Sequence, residues 1–306
     1  MPAFARRQVE LGACGITCQK LGEAEAMADA GLDDILISFP LIGPAKALRL
    51  AALARRVRMG VAVGSALATA AEAARAAGRP IGVLVEFDSG NKRTGVVSVD
   101  QALALARPAA EAEGVRFDGL MSYPSTAATA EFVAKARRRF GEAGLATPVV
   151  SGGGTPNAWH AHEVAGLTEV RVGTYIYHDR TTVAAGAADL EECAPHLHAT
   201  VVSRPTKDRA VIDAGTKSLT TDLVAPSAGP GYGLILDYTD AVIERLNEEH
   251  GVVDLSRCDR KPEIGGRLRI VPNHVCVVSN LHDKVIISRA NRVVDAWRVA
   301  ARERTR

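Results

Sequence analysis

From residue 1 to about 185 the chain repeats one pattern seven times: a short apolar run, then an alanine-rich stretch with helical spacing. The runs are Gly15–Cys18, Asp34–Ser38, Val57–Val63, Ile81–Phe87, Phe117–Tyr123, Thr147–Val150 and Glu169–Val172. Between them lie Glu23–Ala30, Ala45–Arg56, Leu67–Ala77, Asp100–Glu113 and Thr129–Ala143. Short strands alternating with longer helices predict βαβ units around a parallel sheet. Seven units fall one short of a closed eight-stranded barrel, and a helix-like segment, Phe4–Leu11, precedes the first run as though it followed a strand of its own. The expected fold is therefore α/β, a (β/α)8 barrel whose first strand is missing from this chain. An open doubly wound sheet is the alternative.

After Gly186 the alternation stops. β-type runs replace it at His198–Ser203, Arg209–Asp213, Tyr232–Leu236, Arg267–Val271, Val275–Val278, Lys284–Ser288 and Arg292–Trp297, with one helical expectation over Thr239–His250. Two domains are expected: a barrel over 1–185 and a mostly antiparallel β domain over 186–306.

Numbering the seven runs as strands two to eight puts Ser151-Gly152-Gly153-Gly154-Thr155 directly after the seventh strand and Gly173-Thr174-Tyr175 after the eighth. Consecutive glycines leave backbone N–H groups uncovered, and the flanking hydroxyls add donors. A tight turn without a ligand is the commoner meaning of three glycines alone. Two such turns at matched strand ends instead fit the phosphate site of barrel enzymes.

Composition narrows the partners. A net charge of +2 gives no basic stripe for nucleic acid, so small-molecule chemistry is expected. No apolar run approaches the roughly 18 residues of a membrane span, and the first residues lack the apolar core of a signal peptide. Five cysteines without a CxxC pair argue against a disulfide framework and fit the cytoplasm.

With the barrel, the β domain and the paired turns in view, specific segments acquire meaning. GITCQKLGEAEAM (15–27), DILIS (34–38), FDSGNKRTGV (87–96), VSGGGTPN (150–157), EVRVGTYIYHDRTT (169–182), VIDAGTKSLTTD (211–222), RLNEEHGVV (245–253) and PNHVCVVSNLHD (272–283) together resemble the D-threonine aldolase and D-serine dehydratase family. These are fold-type III pyridoxal-phosphate enzymes with an alanine-racemase-like barrel. The resemblance implies that Ser151, Gly152, Gly153, Thr155, Gly173, Thr174 and Tyr175 hold the cofactor phosphate and flank its ring. Gln19 and Arg93 match positions facing cofactor or substrate, and Tyr123, at a strand end, joins them. The implied activity is lysis of a D-β-hydroxy amino acid, retro-aldol cleavage first and ammonia loss second, with a homodimer as the expected assembly.

His274 and Cys276 stand two apart in an expected strand, so both side chains should project from one face about 7 Å apart. Taken alone, a core histidine beside a buried cysteine is the commoner arrangement. Within PNHVCVVSN the pair resembles the family's divalent-metal site, for Zn, Mn or Mg, with open positions left for water or substrate. His160 and His162, and His196 and His198, share metal-like spacing but no matching surroundings. They are expected to be structural.

The chain departs from the family at one point. The Schiff-base lysine belongs to a PHxKxH-like segment at the end of the first barrel strand, and none of Lys20, Lys46, Lys92, Lys135, Lys207, Lys217, Lys261 and Lys284 matches it. The expectation is a misassigned start and a longer natural protein. An inactive cofactor-binding remnant is the alternative.

Overall fold

The computed structural model describes residues 1–65 and 67–305. It divides into two compact units, Met1–Val172 with the last residues from Glu303 onward, and Gly173–Arg302. The division falls before the expected 185 because the segment after Gly173 bonds into the second unit: Arg180 N donates to Pro272 O and Thr181 N to Asn273 O.

The first unit holds a parallel sheet of β1 (Ile16–Cys18), β2 (Asp34–Ile37), β3 (Arg58–Val63), β4 (Ile81–Phe87), β5 (Val115–Ser122), β6 (Val149–Gly153) and β7 (Glu169–Arg171), hydrogen-bonded in chain order. Helices α1 (Pro2–Glu10), α2 (Leu21–Asp29), α3 (Pro44–Ala54), α4 (Ala68–Ala77), α5 (Val99–Glu111) and α6 (Ala127–Glu142) alternate with the strands. The seven-unit barrel-like expectation therefore holds, with α1 ahead of the first strand.

Both faces of β4, at the centre of the sheet, are covered, which is why it reads as a continuous apolar run. Every residue of β4 is buried. On the helix side Ile81, Val83 and Val85 pack with Leu50, Leu120 and Phe140, and Phe87 stacks on Phe132 at 4.0 Å between ring centroids. On the inner side Ala62, Leu84 and Met121 form a small cluster with Leu36 and Val149. Truncating a fully buried side chain such as Phe140 to alanine costs about 3–5 kcal/mol in sites of this kind.

The second unit begins with α7 (Arg180–Ala184) and carries β8 (Leu197–Thr206), β9 (Arg209–Ile212), β10 (Leu234–Ile235), β11 (Val242–Leu246), β12 (Gly251–Asp254) and β13 (Arg267–Val271). These six form an antiparallel sheet in the order β10-β13-β8-β9-β12-β11. Helix α8 (Val275–Leu281) follows, and β14 (Lys284–Arg289) and β15 (Arg292–Arg298) close as a separate hairpin through Ala290 and Asn291, both left-handed.

Two expectations are corrected here. Thr239–His250 is not helical. Its Val242 and Ile243 pair with Asp254 and Val253, with a bulge before Arg245, so tertiary pairing overrides the helix-forming Glu-Arg-Leu run. Val275–Val278 is not a strand. Val275 and Val278, three apart and both buried, form the inner face of α8, and the helix start is capped from outside by Asp179.

Candidate active site

Loops at the C-terminal ends of parallel strands carry the site in folds of this class. In the first unit three of the expected residues, Tyr123, Gly153 and Arg93, meet there, with Gly154 beside them. Tyr123, one residue past β5, lies against the glycine turn after β6: a Cβ on Gly154 would stand 2.5 Å from Tyr123 Cε2, and one on Gly153 would stand 3.2 Å from Tyr123 Cδ2. Only glycine lets the ring lie on that backbone. The Arg93 guanidinium sits 5.1 Å from the centroid of the same ring, on its face.

Ser151 and Gly152 lie deeper than the turn chemistry suggests. Ser151 is fully buried, and its Oγ accepts from Arg171 Nη1 at 2.7 Å. A Cβ on Gly152 would collide with Ser125 Oγ, and Gly153 N donates to that same oxygen at 2.9 Å. Thr155 is buried as well. These residues shape and brace the turn. The backbone of Gly153 and Gly154, narrowed to glycine by its neighbours, is the cradle. Gln19, past β1, is exposed, and its N–H and that of Lys20 are held by Glu23 Oε2 at 2.7 and 3.0 Å. Lys20 Nζ rests on the Phe39 ring, 3.3 Å from its centroid.

Two groups of this rim were not singled out from the sequence. Arg171, between Val170 and Val172, turns inward and also donates to Ser122 O at 2.8 Å; burial pulls its guanidinium down to about 10. A lone arginine inside an apolar strand was its signal. Glu86 is likewise the one acid in β4. It is 4% exposed, its Oε1 accepts from Thr94 Oγ1 at 2.6 Å, and its buried Oε2 has no partner among the described residues. Burial raises its pKa, against the Thr94 hydroxyl and the charges of Arg93 and Arg171. Thr94 follows Arg93, and the loop closes through Asp88 N to Val96 O and Val96 N to Glu86 O, each 2.9 Å. Glu86 therefore fastens the loop that carries Arg93.

The second unit assembles its own cluster. His274 is the residue preceding α8 and Cys276 the second residue of that helix. The same-face strand spacing is thus replaced by a helix start, and the two side chains still meet. Hydrogen bonding to Cys276 raises the His274 imidazole to about 9, with burial opposing and Asp222 assisting. His274 Nδ1 lies 2.7 Å from Asp222 Oδ2. Thr174 Oγ1 lies 3.8 Å from Cys276 Sγ. Burial, then the neighbouring Cys276, pushes the Tyr177 phenol up to about 12. At Gly173 a Cβ would find nothing within 4 Å, so its backbone opens on free space. Tyr175 is exposed.

Beneath this cluster lies a frame of polar groups. Asp179, fully buried, accepts from Val275 N through Oδ2 and from Thr182 N through Oδ1, both at 2.9 Å. Asn273, also fully buried, accepts from Arg180 Nη1 at 2.7 Å and donates from Nδ2 to Asp222 O and Gly231 O at 2.9 Å each. Among the described residues no group of three or more His, Cys, Asp and Glu converges as a set of metal ligands. What His274 and Cys276 offer is two donors, one imidazole and one thiol. That set suits a borderline-soft divalent ion with most positions open. His160 pairs with Glu163 at 3.1 Å on the surface. No described helix is long and apolar enough to cross a membrane.

The bare turn after β6, the half-buried arginine beneath it and the His–Cys pair can be set beside known proteins. The alanine racemase N-terminal domain family matches residues 2–181, and the putative serine dehydratase domain family matches residues 194–288. The chain is 36% identical to a D-threonine aldolase from Arthrobacter sp. over 324 aligned positions, covering 98% of this chain and 82% of that protein. The chain belongs to the D-threonine aldolase-like family. Its members are pyridoxal-phosphate-dependent lyases of the alanine-racemase-like fold. The crystal structure of D-threonine aldolase from Filomicrobium marinum superposes with a TM-score of 0.85 at 34% identity, covering 99% of this chain and 85% of that one. A D-threo-3-hydroxyaspartate dehydratase, in a cysteine-to-alanine mutant described as the metal-free form, superposes with a TM-score of 0.82 at 28% identity over 97% of this chain and 86% of that one.

Proposed function

We propose that the protein is a D-threonine aldolase-like lyase that splits a D-β-hydroxy amino acid into glycine and an aldehyde with the help of pyridoxal phosphate and a divalent metal. The observation that carries this reading is the whole-chain match to a D-threonine aldolase. In the reaction the Cα–Cβ bond breaks, the β-hydroxyl gives up its proton as it becomes the aldehyde carbonyl, and Cα takes a proton to become glycine.

Bound pyridoxal phosphate supplies an electron sink for Cα. In the first unit the backbone from Gly153 to Thr155 would hold its phosphate, with Ser151, Gly152 and Arg171 keeping that backbone in place. Tyr123 offers a flat face carrying the Arg93 cation, suited to a carboxylate or phosphate oxygen. Gly173, Thr174 and Tyr175 belong to the same assignment by resemblance, and the open space at Gly173 supports it. In the second unit His274 and Cys276 would hold a divalent ion, whose Lewis acidity would act on the substrate hydroxyl. His274 Nδ1 stands within hydrogen-bond distance of Asp222 Oδ2, so that nitrogen is engaged by the protein itself.

Dehydration of the same substrates is the second reading. It is favoured by one observation: two solved mutants of the hydroxyaspartate dehydratase replace a histidine and a cysteine two positions apart, the spacing of His274 and Cys276. The assay incubates the protein with D-threonine, pyridoxal phosphate and Mn2+ or Zn2+. Glycine in excess over 2-oxobutanoate is expected. Predominant 2-oxobutanoate reverses the order, and neither product rejects both.

A further inference from the structure

We propose that Asp222 is a positioning residue for His274: it holds Nδ1 so that Nε2 is the ring nitrogen presented to a divalent cation. This rests on the metal reading above. The two residues are 52 apart in sequence, yet Nδ1 and Oδ2 stand at 2.7 Å. Both are partly exposed, at 41% and 50% of the side chain, and a pair held only by its charges would be worth little at such exposure. This pair is tied at the backbone. Asn273, the residue before His274, donates to the carbonyl of Asp222 itself, while Thr181 fastens the carbonyl of Asn273 from its N–H and, at 2.7 Å, from its hydroxyl. Asp222 N is satisfied by Thr220 Oγ1 at 3.1 Å. One buried amide thus locks the main chain on both sides of the contact.

A neutral imidazole carries its proton on one nitrogen, and a carboxylate at Nδ1 selects the tautomer with a lone pair on Nε2. Carboxylates placed this way behind a ligating histidine typically govern metal affinity by about 10–100-fold. Asp222 does not need to touch the ion to do so.

The test uses chelator-stripped 306-residue chain titrated with ZnCl2 alone by calorimetry. Asp222→Ala should weaken Zn2+ binding roughly 10–100-fold without moving the melting temperature. Asp222→Asn, whose amide oxygen still accepts from Nδ1, should recover part of that loss, and His274→Ala should lose binding. In 15N spectra of the zinc-loaded chain, His274 should show a metallated Nε2 and a protonated Nδ1, and Asp222→Ala should abolish that fixed assignment. If His274→Ala loses zinc while Asp222→Ala binds like wild type with the same nitrogen metallated, the positioning role is overturned and the metal reading stands. If wild type and His274→Ala bind zinc alike, or neither binds, both fall together.

Discussion

Asp179 Oδ2 accepts the N–H of Val275 at 2.9 Å, so an acid 96 residues upstream caps the helix that begins at the His274–Cys276 pair. Its other oxygen caps α7 through Thr182 N. One fully buried carboxylate therefore serves two helix starts. Asp179→Ala would leave two buried donors unsatisfied, at about 1–3 kcal/mol each. The expected loss is about 2–6 kcal/mol in chemical denaturation, with Asp179→Asn losing less because its amide oxygen replaces one acceptor. A loss below 0.5 kcal/mol, as at an exposed cap, would contradict this placement.

The two glycine turns should respond differently to alanine. At Gly154 the added Cβ meets the Tyr123 ring at 2.5 Å, so the ring must shift and the Arg93 stack with it. At Gly173 the added methyl meets nothing. Gly154→Ala should therefore lower the melting temperature of the ligand-free chain, while Gly173→Ala should leave it unchanged. Titrating pyridoxal phosphate against tryptophan fluorescence should show weaker binding in Gly154→Ala, whose turn is assigned to the phosphate.

Glu86 gives a stability trend with a fixed sign. Its folded pKa is raised by burial, so the stability it contributes is full below the unfolded carboxylate value and is lost as pH rises through the raised folded one. Glu86→Gln removes that titration while keeping an oxygen for Thr94. Between pH 4 and pH 8 the variant should gain on wild type, measured as the difference in unfolding free energy. A variant that loses ground as pH rises would show that Glu86 finds a cationic partner in solution.

Lys20 is not placed to take the cofactor covalently. Its ammonium rests on the Phe39 ring. Borohydride treatment of the 306-residue chain with pyridoxal phosphate should leave no adduct at Lys20 by peptide mass mapping, and Lys20→Met should bind the cofactor as wild type does. A stoichiometric adduct at Lys20 accompanied by turnover would move the covalent site to this residue.

What the sequence could show follows from range. β4 and its neighbours were legible because a strand buried on both faces writes its burial into seven consecutive residues. The glycine turn was legible for the same reason, since its backbone requirement is met within the turn. The helix at Val275 was not: β-branched residues lower helix propensity, and the acid that caps it lies 96 positions away. Asp222 was missed in the same way, because nothing near it announces His274. Ser151 lies inside β6 rather than in a turn after it, because the strand runs on to Gly153, and its use by Arg171 depends on the register of β6 against β7, which pairs Ser151 with Glu169 and Gly153 with Arg171.

The Asn273 side chain is engaged at both ends: Oδ1 accepts from Arg180, and both protons of Nδ2 are spent on Asp222 and Gly231. The ground under the His274–Cys276 pair is therefore the same ground that closes the 222 and 231 loops onto α7 and α8. Heat cannot loosen the pair first and the scaffold afterwards. Zinc affinity and the tertiary signal of the second unit should vanish in one step of a thermal ramp, so this half of the protein carries no warning interval between impaired and unfolded.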